Sequence, residues 1–190
     1  MLFRSTPHSP REAIDLGIGL LTEDRNKYGL IMQMCVRENI SLSNLRDVVR
    51  GPFINKKKES QVSEQFVSDL KIKTPTIEQE VEYLSGGNRQ KVVLARWLYA
   101  KSKVMMFDEP TAGIDVGAKH EIYNLINRLA KDGIGIIVIS SELPELLGIC
   151  DRIAVMCEGR ITGILSRSEA TQEKIMMLAT GEMLEVSGGS

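Results

Sequence analysis

The chain has 190 residues, 43% hydrophobic and 26% charged, which suits one globular domain with a sizeable core. Its 24 Lys and Arg balance 25 Asp and Glu, for a formal charge of -1, so nothing electrostatic argues for nucleic acid or acidic lipid as a main partner. Cys35, Cys150 and Cys157 show no paired spacing and fit a reducing compartment, and no run approaches the ~20 apolar residues of a membrane span.

In chain order, the opening Met1 to Pro10 has no apolar centre and does not read as a secretory signal. Arg11 to Leu16 reads as a helix, with Ser9 as N-cap and Pro10 in the first helical position. Gly17 to Leu21 is a short apolar strand that runs into the polar stretch Thr22 to Lys27. Val36 to Leu45 and Ser60 to Leu70 read as helices, the second with Val62, Phe66, Val67 and Leu70 on one face. Lys56-Lys57-Lys58 before it reads as a solvated loop. Asn88 to Ala100 is a helix, Val104 to Phe107 a buried strand, and Gly117 to Lys131 a helix ending near Gly133. Ile134 to Ile139 is expected to be a second buried strand, followed by a short helix, Pro144 to Cys150. Ile153 to Met156 is a strand, Glu158-Gly159-Arg160 a turn, and Ser168 to Ala179 the closing helix. Ser187 to Ser190 reads as a flexible tail. Strands alternating with helices point to an α/β fold around a parallel sheet covered on both faces.

Two stretches carry chemistry. Val104-Met105-Met106-Phe107 delivers Asp108 and Glu109 to the carboxyl end of the sheet, where ligands bind in such folds. Paired carboxylates there suit magnesium-nucleotide chemistry, one holding the metal and one polarising a water. Taken alone, the same pattern is a strand ending in a polar turn. Leu84-Ser85-Gly86-Gly87-Asn88-Arg89-Gln90 puts a hydroxyl and two glycines before a helix, whose free N–H groups and positive dipole end suit an anion. Taken alone, this is an ordinary loop with Asn88 as N-cap.

Together, in this order and spacing, the two stretches resemble the ATP-binding-cassette family. The glycine loop matches the family's signature loop, and Val104 to Glu109 its Walker B strand. Ala112-Gly113-Ile114-Asp115 is similar to its D-loop. Glu23 to Leu30, Val36 to Ile40, Ile72 to Pro75, the signature with Asn88, and Ile139 to Glu145 resemble the C-terminal cassette of monosaccharide importers of the ribose, galactose and xylose type. The likeness runs from about Ser9 to Gly181.

The resemblance implies an α/β fold, a P-loop NTPase-like parallel sheet flanked by helices and truncated at its N-terminus. Residues 1–181 would form a partial cassette, with a helical subdomain inserted at about 34–83, and 182–190 a tail. It implies ATP and Mg2+ as cofactors. Ser85, Gly86, Gly87, Asn88, Gln90, Asp115 and Ser141 would face nucleotide, Glu109 would be the catalytic base, and Asp108 and Glu23 would attend the metal. A phosphate loop needs a Gly-Lys pair, and none occurs in the 190 residues. Glu23 stands where the family has Gln, and Ser141 where it has a switch histidine; His8 and His120 read as surface residues. The chain alone is therefore expected not to hydrolyse ATP, and to lend its signature loop to a partner cassette. The implied setting is the cytoplasmic face of the membrane, beside a permease docked on Asp24 to about Pro52, with a periplasmic sugar-binding protein indirectly involved and no nucleic acid. A cassette ATPase outside transport and a non-catalytic pairing module remain open alternatives.

Overall fold

The computed structural model describes residues 6–181, with the backbone alone for Val116, so the expected tail at Ser187 to Ser190 lies outside the described residues. The chain parts into two compact units, one up to Ile139 and one from Ser140.

In the first unit, α1 (Pro10–Asp15) starts where expected, its Glu12 amide donating to Ser9 Oγ at 3.2 Å. It leads into β1 (Ile18–Leu21). The polar stretch that follows is not an open loop. Asp24 Oδ1 accepts from the Asn26 and Lys27 amides, and this cap nucleates a π-helical turn over Arg25–Gly29. The helix expected over Val36 to Leu45 is broken: α2 (Val36–Ser41) tightens into a 3₁₀ turn at Leu42–Asn44, and α3 (Leu45–Val48) then restarts. A two-residue pairing of β2 (Val49–Arg50) with β3 (Phe53–Ile54) follows.

The three lysines expected in a loop form the first turn of α4 (Lys56–Asp69). Asn55 Oδ1 accepts from the Lys58 amide and caps the helix one turn early, and Lys58 Nζ pairs with Asp47 at 3.1 Å. The deep positions of α4 also differ from its apolar pattern. Glu59 and Ser63 are its most buried residues, while Val62, Phe66 and Val67 are half-buried.

α5 (Gly86–Tyr99) is buried nearly all round from Gln90 to Arg96 and packs on α2, β1 and α6 (Val116–Lys131). Such a helix gains from every face, at about 1.5–3 kcal/mol for each Val or Leu taken from water. β4 (Val104–Asp108) runs between β1 and β5 (Gly135–Ile139), and both pairings are parallel. Met105 and Phe107 of β4 are wholly buried. β5 is an edge strand instead of a buried one: Ile137 and Ile139 are about half exposed, at 49% and 51%. A strand with one hydrogen-bonded neighbour is covered on fewer sides than its apolar sequence alone suggests.

The second unit holds α7 (Leu143–Ile149), β6 (Arg152–Cys157), β7 (Arg160–Ser166) and α8 (Gln172–Thr180). β6 and β7 form an antiparallel hairpin around the turn at Glu158-Gly159. Ile153 and Val155 of β6 pack against Ile175 and Leu178 of α8, with Leu143, Leu146 and Leu147 of α7 beside them.

Candidate functional site

The three parallel strands end together at Leu21, Asp108 and Ile139, so the segments holding Glu23 and Asp108-Glu109 leave the same edge of the sheet. Asp108 and Glu109 are half-buried and Glu23 is exposed. Glu109 takes a positive φ of 45° while its amide donates to Ile139 O at 2.9 Å. A non-glycine residue rarely adopts that backbone, and such strain collects at functional positions. Among the described residues no three His, Cys, Asp or Glu side chains gather into a metal cage. Two carboxylates at a strand end suit Mg2+, which keeps most of its waters and needs few protein ligands.

Ser85, Gly87, Asn88 and Asp115 line one cleft of about 340 Å3. Ser85 is exposed and stands at the N-cap of α5, where its side chain accepts no helix amide. Its Oγ instead accepts from Asn88 Nδ2 at 2.8 Å, and Asn88 Oδ1 accepts from the Lys73 amide at 2.8 Å. The amides of the first turn of α5 are thus left uncapped by Ser85, with the helix dipole behind them. Gln90 is buried below that turn and does not line the cleft. Asp115 caps α6, its Oδ1 accepting from the Ala118 amide at 3.0 Å. Asp108, Glu109 and Glu23 line no part of this cleft. Ser141 is exposed and belongs to the second unit.

Gly86 of the loop has a packing reason. A Cβ on Gly86 would stand 2.8 Å from Arg25 Nη2 and 3.2 Å from the Gly113 carbonyl oxygen, so a larger residue here would have to displace the Arg25 side chain and crowd that carbonyl. Gly113, at φ 65°, makes the turn that presents that carbonyl.

Several residues that hold this region together were given no role of their own in the sequence. Arg25 is buried, and its Nη1 donates to Ala112 O at 2.9 Å. Burial, and then the charge of Arg89, push its pKa down. Arg89 donates to Leu84 O, Glu82 O and Asn26 Oδ1, tying the loop before α5 to the π-helical turn. Arg96 donates to Gly29 O, Asn39 O and Asn39 Oδ1, and its burial lowers its pKa to about 10. Asn39 in turn accepts from the Ile31 amide and donates to Ile31 O, Met34 O and Cys35 O. Arg37 lies between Glu59 and Glu78, which together raise its pKa against the cost of burial. Burial of an isolated charged side chain is costly, and the partners that offset it for Arg25 and Arg96 lie far away in sequence.

A glycine loop opening a buried helix, followed by a central strand ending in two carboxylates, defines a nucleotide-binding cassette fold. The sequence model of the ABC transporter family matches residues 4–112, more than half of the chain, and the chain belongs to that family. It is 53% identical over 172 residues to the xylose import ATP-binding protein XylG of Geobacillus kaustophilus, covering 90% of this chain and 34% of that protein. It is 55% identical over 169 residues to the L-arabinose transport ATP-binding protein AraG of Geobacillus stearothermophilus, covering 89% and 33%. The chain thus spans about a third of the length of the curated relatives it matches. The fold also matches the crystal structure of a nucleotide-free ATP-binding cassette from an ABC transporter, with a TM-score of 0.71 at 23% identity over 95% of this chain and 72% of that one. A dimeric post-hydrolysis cassette, MJ0796 bound to ADP and Pi, matches at a TM-score of 0.68 and 21% identity, covering 84% and 68%.

Proposed function

We propose that this chain is part of the ATP-binding subunit of a sugar importer and supplies a signature loop to a nucleotide held mainly by a partner cassette. The observation that carries the reading is the exposed start of α5, where Ser85 leaves the first-turn amides uncapped beside Asp115. A triphosphate fits such a place: three oxygens meet N–H groups, a hydroxyl and a helix dipole at once. Ser85, Gly86, Gly87 and Asn88 would meet the phosphates, and Asp115 would stand near them. Gln90, being buried, would support the loop from beneath.

Asp108 and Glu23 would attend Mg2+ on this chain's own side, with Glu109 as the carboxylate placed to polarise water. Bound Mg2+ supplies charge neutralisation on the phosphates. Ser141 would face nucleotide from the turn after β5. The two relatives' names speak of xylose import and L-arabinose transport, which supports a pentose or similar sugar as cargo. No helix among the described residues is long and apolar enough to cross a membrane, so a permease would carry the sugar path. The cassette would sit at its cytoplasmic face and dock through Asp24 to about Pro52, with a periplasmic sugar-binding protein on the far side.

The test compares two substitutions in the complete two-cassette protein, by ATPase rate and sugar uptake in reconstituted vesicles. Ser85→Arg is expected to abolish both, because a bulky cation stops the α5 terminus from reaching the partner's γ-phosphate. Glu109→Gln is expected to cost much less, since its supporting positions carry Glu23 and Ser141, and groups that act as a unit are non-additive. Equal damage from Glu109→Gln would overturn this division of labour.

A further inference from the structure

Arg25 is an expensive residue for folding alone. It is 9% exposed, it faces the positive charge of Arg89, and its Nε is buried with no acceptor among the described residues. A buried donor without a partner costs stability, and so does a desolvated cation. What the side chain achieves is contact among three segments. Its Nη1 donates to Ala112 O at 2.9 Å and its Nη2 to Gly113 O at 3.4 Å. The same Nη2 would lie 2.8 Å from a Cβ on Gly86, the first residue of α5. Its own backbone opens the π-helical turn Arg25–Gly29. One residue on, Asn26 Oδ1 accepts from Arg89 Nη1 at 2.9 Å, and Arg89 also grips the Glu82 and Leu84 carbonyls just before Ser85.

We propose that Arg25 is a positioning residue: it holds the Ala112 to Asp115 turn and the start of α5 in register with the π-helical turn, so that displacing that turn displaces Ser85 and Asp115 together. The inference deepens the reading of the Ser85 site and rests on it. A segment docked by a partner would then reach both nucleotide-facing groups through one guanidinium. The planar fork of arginine suits two adjacent carbonyls, which a point charge does not.

Hydrogen exchange of the chain itself, read by mass spectrometry, tests this without nucleotide. Arg25→Met keeps the apolar stem and removes every donor; Arg25→Lys restores a charge without the fork. In Arg25→Met, amides at 86–89 and 112–115 are expected to exchange about tenfold faster, as local opening loses its restraint. Amides of α2 and α4 and the melting midpoint are expected to stay as in the parent, because the variant also removes a poorly satisfied buried cation. Arg25→Lys is expected to fall between the two. Unchanged exchange at 112–115, or equal acceleration throughout α2 and α4 with a lowered midpoint, would overturn the proposal and leave Arg25 as ordinary packing. A harmless Ser85→Arg would sink the nucleotide reading while leaving the exchange result standing, so the two failures are separable.

Discussion

Glu59 shows how one residue can hold a subregion that its sequence pattern does not explain. It is 1% exposed, pairs with Arg37, and accepts from Ser41 Oγ at 2.5 Å. Arg37 is itself buried and also donates to Glu78 Oε1 at 2.7 Å. Deleting one partner of such a pair leaves the other charge buried, at a cost of about 3–5 kcal/mol. Glu59→Ala is therefore expected to lower the urea midpoint sharply. Glu78→Ala should do far less, because the Glu78 side chain is 60% exposed and water can replace it. A double-mutant cycle over Arg37 and Glu59 checks this. Coupling below about 0.5 kcal/mol would mean that the pair does not act as one unit.

At the scale of elements, Asp115 has two roles, and a pair of substitutions tests the capping one. It faces the same cleft as Ser85, and it also caps α6 through the Ala118 amide. Loss of an N-cap costs about 1 kcal/mol. Asp115→Ser keeps an oxygen able to cap, whereas Asp115→Ala does not. The alanine variant is expected to lose about that much stability by chemical denaturation, and the serine variant to keep most of it. Equal losses would show that the charge of Asp115, and not its capping bond, supports α6. Helix boundaries were otherwise well marked by local chemistry: Ser9, Asn55, Asp115 and Thr171 each accept from an amide of the turn that follows. The break after Ser41 was not, since no Gly or Pro lies there.

For the whole molecule, the parallel sheet has β1 on one edge and β5 on the other, with Ile137 and Ile139 about half exposed on β5. Exposed apolar edge strands invite pairing with other chains. The isolated chain is expected to associate as its concentration rises. Analytical ultracentrifugation over a hundredfold range checks this, and Ile137→Lys is expected to shift the balance towards monomer. A single monomer boundary throughout would refute it.

The sequence by itself determined the α/β class, most of the longer helices and strands, and the placing of Ser85 before a helix and of Asp108 and Glu109 at a strand end, because each depends on short-range pattern: apolar runs, glycine before a helix, acids after a strand. It also carried the family, since the glycine loop and the two acids follow one another along the chain and are legible without the fold. Only the tertiary structure decided that β5 is an edge, and that Ser85 lines a cleft apart from Asp108 and Glu109. It alone drew Arg25 to Ala112 and Arg89 to Asn26, pairs separated by 87 and 63 positions. Nothing local requires those partners. A buried guanidinium is satisfied by whichever carbonyl the packing brings to it, and that choice belongs to the fold.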